Sequence, residues 1–470
     1  MSSDSILVGT VDSLNPDQIQ ALPSYTSITT PPLLTAPKIA TAYNIPASTG
    51  SGVKVGIISV GGGFSQADLN KSMANLGLTT GNVTFVGVDS AINNYTGNYQ
   101  TADGENMLDL VCVAGMVPSA NIVLYKAGGN SSVIYNTNPS NAAINNSTNS
   151  FANTIQRAVD DNCDVITISW GYSEKLISGG TTYYVGDFLT GPLANAAAKG
   201  ISVFIAAGDY GSQAINPPGV PTYFQIVSTD YPSVNANVVA VGGTYLTLTG
   251  GNTRLAETVY NNSVITGGVG GGGGVSSMVN QPSYQANLTY QTWNKTSNTA
   301  GAVTSLTTRG IPDISAAMNA YGVWMTYTAN NVSQVYGVSG TSASAPIMAG
   351  MVARFISLNG GRRPPNGSAG LNKIFYQNTG SFYDITTGNN ASLLATGYSA
   401  TAGWDAATGL GAQSNATQTY QSVTSAGMRI KTADGWQPIQ NISVKTSAGT
   451  WTTVNKVWSK TDGTTWTQVY

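Results

Sequence analysis

Val53-Lys-Val-Gly-Ile-Ile-Ser-Val60 is an apolar run with one charge, and Gly61-Gly62-Gly63 ends it. A run of this length bounded by glycine reads as a strand covered on both faces. Further strands are predicted at 82–86, 121–125, 164–169, 202–206 and 238–241, with helical patterns at 102–115, 152–161 and 190–198. Continuous apolar strands alternating with helices require a parallel sheet with helices on both faces, because each crossover returns over one face or the other. The fold class is α/β.

Composition narrows the function. Of 470 residues, 41% are apolar, enough for a large core, and 55 are glycine. Charged residues make up 9%, against about 25% in an ordinary soluble domain. Lys+Arg 19 against Asp+Glu 21 leaves no basic field for nucleic acid. In acid only the 19 basic side chains would repel one another; a surface kept soluble by amides and hydroxyls is the equal alternative. Histidine is absent, which removes Ser-His-Asp and Cys-His triads and any His-ligated zinc. Cys112 and Cys163 make neither a disulfide framework nor a zinc cage and read as buried free thiols rather than a bridge. No apolar run reaches the roughly 18 residues of a membrane span. Met1-Ser-Ser-Asp-Ser-Ile-Leu lacks the basic-then-apolar pattern of a secretory signal. A trimmed chain, or export by another route, is expected.

Three regions follow. Residues 1–35 read as an extended N-terminal arm, 36–425 as the α/β domain, and 426–470 as a small C-terminal β module. In the last, Trp436, Trp451 and Trp466 recur fifteen residues apart. Each unit reads as strand, glycine turn, strand, and is too short to bury its own apolar face.

Three local patterns bear chemistry. Gly340-Thr341-Ser342 opens into the small-residue helix that continues through Ala353 and places the Ser342 hydroxyl near a helix N-terminus. Backbone N–H groups and the dipole favour negative charge there, which suits a nucleophile and its oxyanion as well as a simple N-cap. Glu105 and Asp109 stand at i and i+4, so a helix puts both carboxyls on one face among Met107, Leu108, Leu110 and Val111. Burial and mutual repulsion then raise at least one pKa. Asp209 follows an apolar strand, at the strand end where open α/β sheets place ligands. An Asx-turn is the plain reading; a carboxyl kept neutral to donate to an oxyanion is the functional one.

Gly340-Thr341-Ser342, the Gly-Glu-x-x-Leu-Asp segment at 104–109 and Ala206-Ala207-Gly208-Asp209 together resemble the sedolisins, the serine-carboxyl peptidases. Tyr43-Asn44-Ile45-Pro46, Ile166-Thr-Ile-Ser-Trp170-Gly171, Pro232-Ser233, Gly242-Gly243-Thr244 and Gly310-Ile311-Pro312-Asp313-Ile314-Ser315 add to the likeness, in order, over about residues 36–415. The resemblance implies a subtilisin-like fold in which Glu replaces the triad His. It makes Ser342 the nucleophile, Glu105 its general base, Asp109 the support of Glu105 and Asp209 the oxyanion donor. Ser169, Trp170 and Gly171, with Gly271, Gly272 and Gly273, would form the backbone edges that pair with an extended peptide. A Ca2+ site is implied too, from the carboxylates of Asp384 and Asp405 and the carbonyls of Ile385, Thr401 and Gly403, hard oxygen donors of the kind Ca2+ takes.

Two departures stand out. Thr401 replaces a glycine usual in the family, and Ser59 stands where several members carry a Glu. The C-terminal repeats fall outside the family domain and resemble short repeats of phage tail and fibre proteins. The sequence therefore implies an acid-acting endopeptidase on polypeptide substrates, extracellular or on a virion surface. The rival is a virion or surface structural or adhesion protein on an inactive fold of this type. In either case the tail would serve self-assembly or attachment to a particle, or cap the α/β domain.

Overall fold

The computed structural model describes residues 33–99, 101–129, 133–136, 149–178, 180–214, 226–262, 269–319, 321–327, 332–392 and 396–425, the strand Leu7–Gly9, and short strands within 429–468. Ten strands form a central sheet. In chain order they are β1 (Lys54–Ser59), β2 (Thr84–Val88), β3 (Asn121–Ala127), β4 (Val165–Ile168), β5 (Ser202–Ala206), β6 (Val239–Leu248), β7 (Arg254–Val259), β8 (Ile314–Ala317), β9 (Phe382–Tyr383) and β10 (Ala412–Gln413). Across the sheet the order is β9-β10-β8-β6-β5-β4-β1-β3-β2, with β7 paired to β6. Every pairing from β10 to β2 is parallel, and β7 and β9 add to it antiparallel.

The side-chain period of two explains why the strands read as continuous apolar runs. In β5, Phe204 enters one core while Val203 and Ile205 enter the other; in β6, Val239 and Val241 oppose Ala240 in the same way. Both faces are covered. The helices are α1 (Ala36–Ala42), α2 (Gln66–Asn75), α3 (Ala102–Met116), α4 (Ser150–Asp160), α5 (Thr190–Ala198), α6 (Thr341–Leu358), α7 (Gly367–Gln377) and α8 (Ala416–Ser425). The first core takes the apolar faces of α1, α2, α3 and α6, and the second takes those of α4 and α5. Every residue of α3 is buried, as is α6 from Thr341 to Ile356, which is what a helix apolar on all sides demands. α3 packs on α6 closely enough that a Cβ at Gly350 would lie 2.5 Å from the Cβ of Met116.

Predicted strands and helices are all found, with shifted ends. The strand expected from residue 82 begins at Thr84 because the Val83 N–H is taken by Gln66 Oε1 at 2.8 Å. α4 starts at Ser150, where Asn149 accepts from Phe151 N and Ala152 N. β6 runs seven residues past its predicted end at 241, carried on by its antiparallel partner β7. Cys112 and Cys163 are buried and free.

Of the N-terminal arm, Leu7–Gly9 pairs antiparallel with Val133–Asn136, and residues 10–32 lie outside the described residues. In the tail, Arg429–Thr432 pairs with Gly435–Pro438, Ser443–Lys445 with Trp451–Thr453, and Trp458–Lys460 with Trp466–Gln468. Each pair is antiparallel, and in each a lysine is the register partner of the repeated tryptophan: Lys431 of Trp436, Lys445 of Trp451, Lys460 of Trp466.

Candidate active site

Four side chains predicted from three separate motifs meet at one buried site. Glu105 and Asp109 lie on the first two turns of α3, which begins where Thr101 Oγ1 accepts from Asp103 N. Ser342 lies in the first turn of α6, fully buried. Its hydroxyl and that of Ser169 sit against Glu105 and favour its charged form. Ser169, just past β4, gives its hydroxyl to Asp109 Oδ1 at 2.8 Å. Asp209, just past β5, is tied to the residue before the nucleophile: Thr341 N and Thr341 Oγ1 both reach Asp209 Oδ1, at 2.7 and 2.8 Å.

The electrostatics follow from burial without a counter-charge. Among the described residues, no ion pair involves Glu105, Asp109 or Asp209. Burial raises Glu105 well above the usual range, and the charge of Asp109 raises it further. Asp109 is likewise raised by burial, against the pull of Ser169. Two buried carboxyls on adjacent turns hold one proton between them more readily than two negative charges. Burial pushes Asp209 up to about 6, against the two bonds from Thr341.

Both oxygens of Glu105, Asp109 Oδ2, Asp209 Oδ2 and Ser342 Oγ are buried without a hydrogen-bond partner among the described residues. The Ser342 hydroxyl thus faces the Glu105 carboxyl electrostatically without closing a bond to it. Unpartnered buried oxygens each cost about 1–3 kcal/mol, so a cluster of them marks a place where something else binds. Glycine at 340 is required by the same crowding, since a Cβ there would lie 2.8 Å from Asp209 Oδ2.

Ser169 and Trp170 are buried beside this site, and Gly171 is half-buried. The glycine run differs from expectation in part. Gly271 N, Gly272 N and Gly273 N donate to Tyr260 O, Gly208 O and Gly211 O, so its N–H groups are taken within the fold. A Cβ at Gly272 would lie 2.1 Å from Ala207 O. Gly272 serves close approach to the Asp209 loop, Gly271 to Gly243 and Gly273 to Ala406. Ser59 closes its own turn, giving its hydroxyl to Gly61 O at 2.8 Å, and takes no part in the carboxyl network.

Sequence reasoning missed Thr341, Asp230 and Glu174. Asp230 fills the space beside Gly208, where φ is +104° and a Cβ would fall 1.8 Å from Asp230 Oδ2. Burial, then the charge of Asp209, raises the Asp230 pKa well above its usual value. Its place just before Tyr231-Pro232 was the available signal, but nothing in the spacing links it to Asp209.

The residues expected to hold Ca2+ converge on one turn. Asp405 Oδ2 accepts from Thr401 N at 3.1 Å, and Asp384 Oδ2 accepts from Gly403 N at 2.8 Å. Asp405 Oδ1 accepts from Ala407 N and Thr408 N. No lysine or arginine among the described residues pairs with either carboxylate. No group of three His, Cys, Asp or Glu able to hold a metal occurs among the described residues, and this set has only two such side chains beside carbonyls. Two carboxylates without a paired cation are the feature here that suits a hard divalent ion, and the N–H groups of Thr401, Gly403, Ala407 and Thr408 hold their oxygens in this structure.

Known peptidases share this fold. The chain is 33% identical to kumamolisin of Bacillus sp. (strain MN-32) over 380 residues, 79% of this chain and 60% of that protein. It is 30% identical to sedolisin of Pseudomonas sp. (strain 101) over 391 residues, 80% of this chain and 58% of that protein. Tripeptidyl-peptidases match over shorter stretches. The chain therefore spans about 60% of the length of the first two relatives. The solved Pseudomonas sedolisin, a serine-carboxyl proteinase complexed with two molecules of pseudo-iodotyrostatin, superposes with a TM-score of 0.62 at 26% identity, over 83% of this chain and 98% of that one. The subtilase family profile matches residues 50–411, which takes in all four side chains gathered at the site, and the chain belongs to that family.

Proposed function

We propose that this chain is an acid-acting serine-carboxyl endopeptidase that cleaves polypeptides through an acyl-enzyme on Ser342. The observation that carries the reading is the meeting of one buried hydroxyl with three carboxyls of raised pKa, all with unpartnered oxygens. Ser342 Oγ attacks the carbonyl carbon while Glu105 takes its proton. Asp109, fixed by Ser169, keeps Glu105 in place and shares the proton of the pair. Negative charge moves to the carbonyl oxygen, and Asp209 donates to it through Oδ2–H. Oδ1 already holds both Thr341 donors, so the proton belongs on Oδ2. Glu105 returns its proton to the leaving amine as the C–N bond breaks. Water then attacks the ester with Glu105 again as base, and release of the acid restores Ser342.

Below about 6 Asp209 keeps its proton, hence the acidic working range. The inactive structural alternative gains no support from the comparisons, whose named relatives are peptidases. The endopeptidase mode is part of this proposal, supported by the likeness to a serine-carboxyl proteinase, whereas other relatives bear the name tripeptidyl-peptidase. Ca2+ held by Asp384, Asp405 and the carbonyls of Ile385, Thr401 and Gly403 would tie down the turn before β10 and supply no step of the reaction. No described helix is long and apolar enough to cross a membrane, and the charge-poor, acid-tolerant composition suits an extracellular or virion-surface setting. The tail hairpins would serve self-assembly or attachment, so deleting 426–470 should leave cleavage intact and change particle size.

The test is digestion of a denatured protein from pH 2 to 8 by wild type and Ser342→Ala, with products mapped by mass. Internal cuts at acidic pH that the variant cannot make would support the reading. Tripeptides released in sequence would replace the endopeptidase mode, and equal activity in both proteins would remove Ser342 from the mechanism.

A further inference from the structure

Glu174 is a carboxyl the mechanism does not use, and it is 1% exposed. It follows the Ser169-Trp170-Gly171 edge by three residues. Between them, Tyr172–Ser173 pairs antiparallel with Asp230–Tyr231. Its side chain has donors on both oxygens. Ser276 Oγ and Ser277 N each reach Oε1 at 2.7 Å, and Thr229 Oγ1 donates to Oε2. Glu174 N also donates to Thr229 O at 2.8 Å. Burial raises the pKa of this carboxyl, while its three donors lower it.

Those donors come from two separate segments. Thr229 precedes Asp230, whose carboxyl fills the gap beside Gly208, one residue from Asp209. Gly171 packs on the same segment, where a Cβ would lie 3.1 Å from Tyr231 O. Ser276 and Ser277 belong to the strand Gly274–Asn280, the direct continuation of the glycine run that packs on the Asp209 loop. A carboxyl held by several short bonds from two segments is a stiff joint, because each bond ties a different stretch of backbone to the same buried side chain.

We infer that Glu174 is a positioning residue that sets the width of the peptide cleft, by bolting the Asp230 segment and the 274–280 strand to the end of the Ser169–Gly171 edge. The inference rests on the proposed peptidase reading, with Ser169–Gly171 and the glycines 271–273, which run into that strand, as the substrate edges. Glu174 touches neither the reacting atoms nor Ser342. It acts on how an extended chain is held, through the spacing of walls that remote binding must span.

The experiment compares two reactions of the full chain at acidic pH. One is steady-state cleavage of an extended peptide of eight residues. The other is the p-nitrophenol burst from p-nitrophenyl acetate, which reports acylation of Ser342 by an acyl group too small to touch the cleft walls. The variants are Glu174→Gln, which keeps one acceptor oxygen, and Thr229→Val and Ser276→Ala, which each remove one donor and keep the carboxyl. The expected result is a fall of about tenfold in kcat/KM on the peptide, mainly through KM, with the burst rate within twofold of wild type. Glu174→Gln combined with Thr229→Val should cost no more than the worse single change. Peptide kinetics unchanged in all three variants would overturn the inference, and so would a burst that falls as far as peptide cleavage. A wild-type burst that Ser342→Ala does not abolish would instead overturn the peptidase reading itself, which separates the two failures.

Discussion

Thr341 gives its backbone N–H, at 2.7 Å, and its hydroxyl, at 2.8 Å, to the same oxygen of Asp209. The residue beside Ser342, the proposed nucleophile, thereby decides which oxygen of Asp209 keeps a proton. The two bonds favour the charged form and burial the neutral one, and the balance leaves the pKa at about 6.

Replacing Thr341 by Val removes one of the two bonds and leaves the backbone N–H. The charged form of Asp209 loses about 1 kcal/mol of stabilisation, which raises its pKa by roughly 0.7 unit. Activity lost as Asp209 deprotonates should then persist to higher pH. The pH dependence of kcat/KM checks this: its basic limb should move up in Thr341→Val, and a limb that stays or moves down removes Asp209 from the donor role.

Glu105→Gln and Ser342→Ala should each lower kcat by at least about a thousandfold, because base and nucleophile act as a unit. The double variant should be no slower than either single one. Single-turnover rates on one peptide decide it. A Glu105→Gln enzyme near wild-type rate would leave Ser342 without its base.

Stability should run opposite to ordinary acid denaturation. Glu105, Asp109, Asp209, Asp230 and Glu174 all have folded pKa values raised by burial. The folded chain therefore binds more protons than the unfolded one above the unfolded carboxyl range. Their contribution is fully present below about pH 4 and is lost as pH rises through the folded values. Asp209 alone, moved from 3.8 to about 6, accounts for about 3 kcal/mol across that span. Thermal unfolding from pH 3 to 8 should give a Tm that declines toward neutrality; a Tm that climbs over this range contradicts the assignment.

Chelation should expose the turn that Asp384 and Asp405 grip together. At pH 5, excess chelator is expected to lower Tm by several degrees, as loss of a bound ion does when only the folded state binds it. Asp405→Ala should have a lower Tm and no response to chelator. Equal melting of the wild type with and without chelator would leave the turn held by its N–H groups alone.

The parts of the site legible in the sequence are those whose geometry is local. Glu105 and Asp109 share a face because a helix repeats every 3.6 residues, and Ser342 starts a helix because glycine precedes a small-residue run. Asp209 was readable as a strand-end acid. Thr341 was quoted for its place in a turn, yet its two bonds to Asp209 span 132 positions and leave no trace in spacing. Asp230 and Glu174 escaped for the same reason, since antiparallel pairing of 172–173 with 230–231 brings them to the cleft. The glycine run was read as open to substrate because close packing against a backbone and against a peptide demand the same residue. Register, which local pattern does not encode, separated the two.

The contact of Gly350 with Met116 gives this pair of helices a gauge. Gly350 lies eight residues along α6 from Ser342, about 12 Å down the axis, and Met116 ends the helix that carries Glu105. A missing methyl at that crossing lets the two backbones close, and the reactive oxygens at the far ends inherit the spacing. Residue 350 thus works as a shim of zero thickness. Thickening it by one or two carbons would press on Met116, whose carbonyl also accepts from Arg354 Nε at 2.7 Å, and would widen the spacing that Ser342 and Glu105 inherit, far from either side chain.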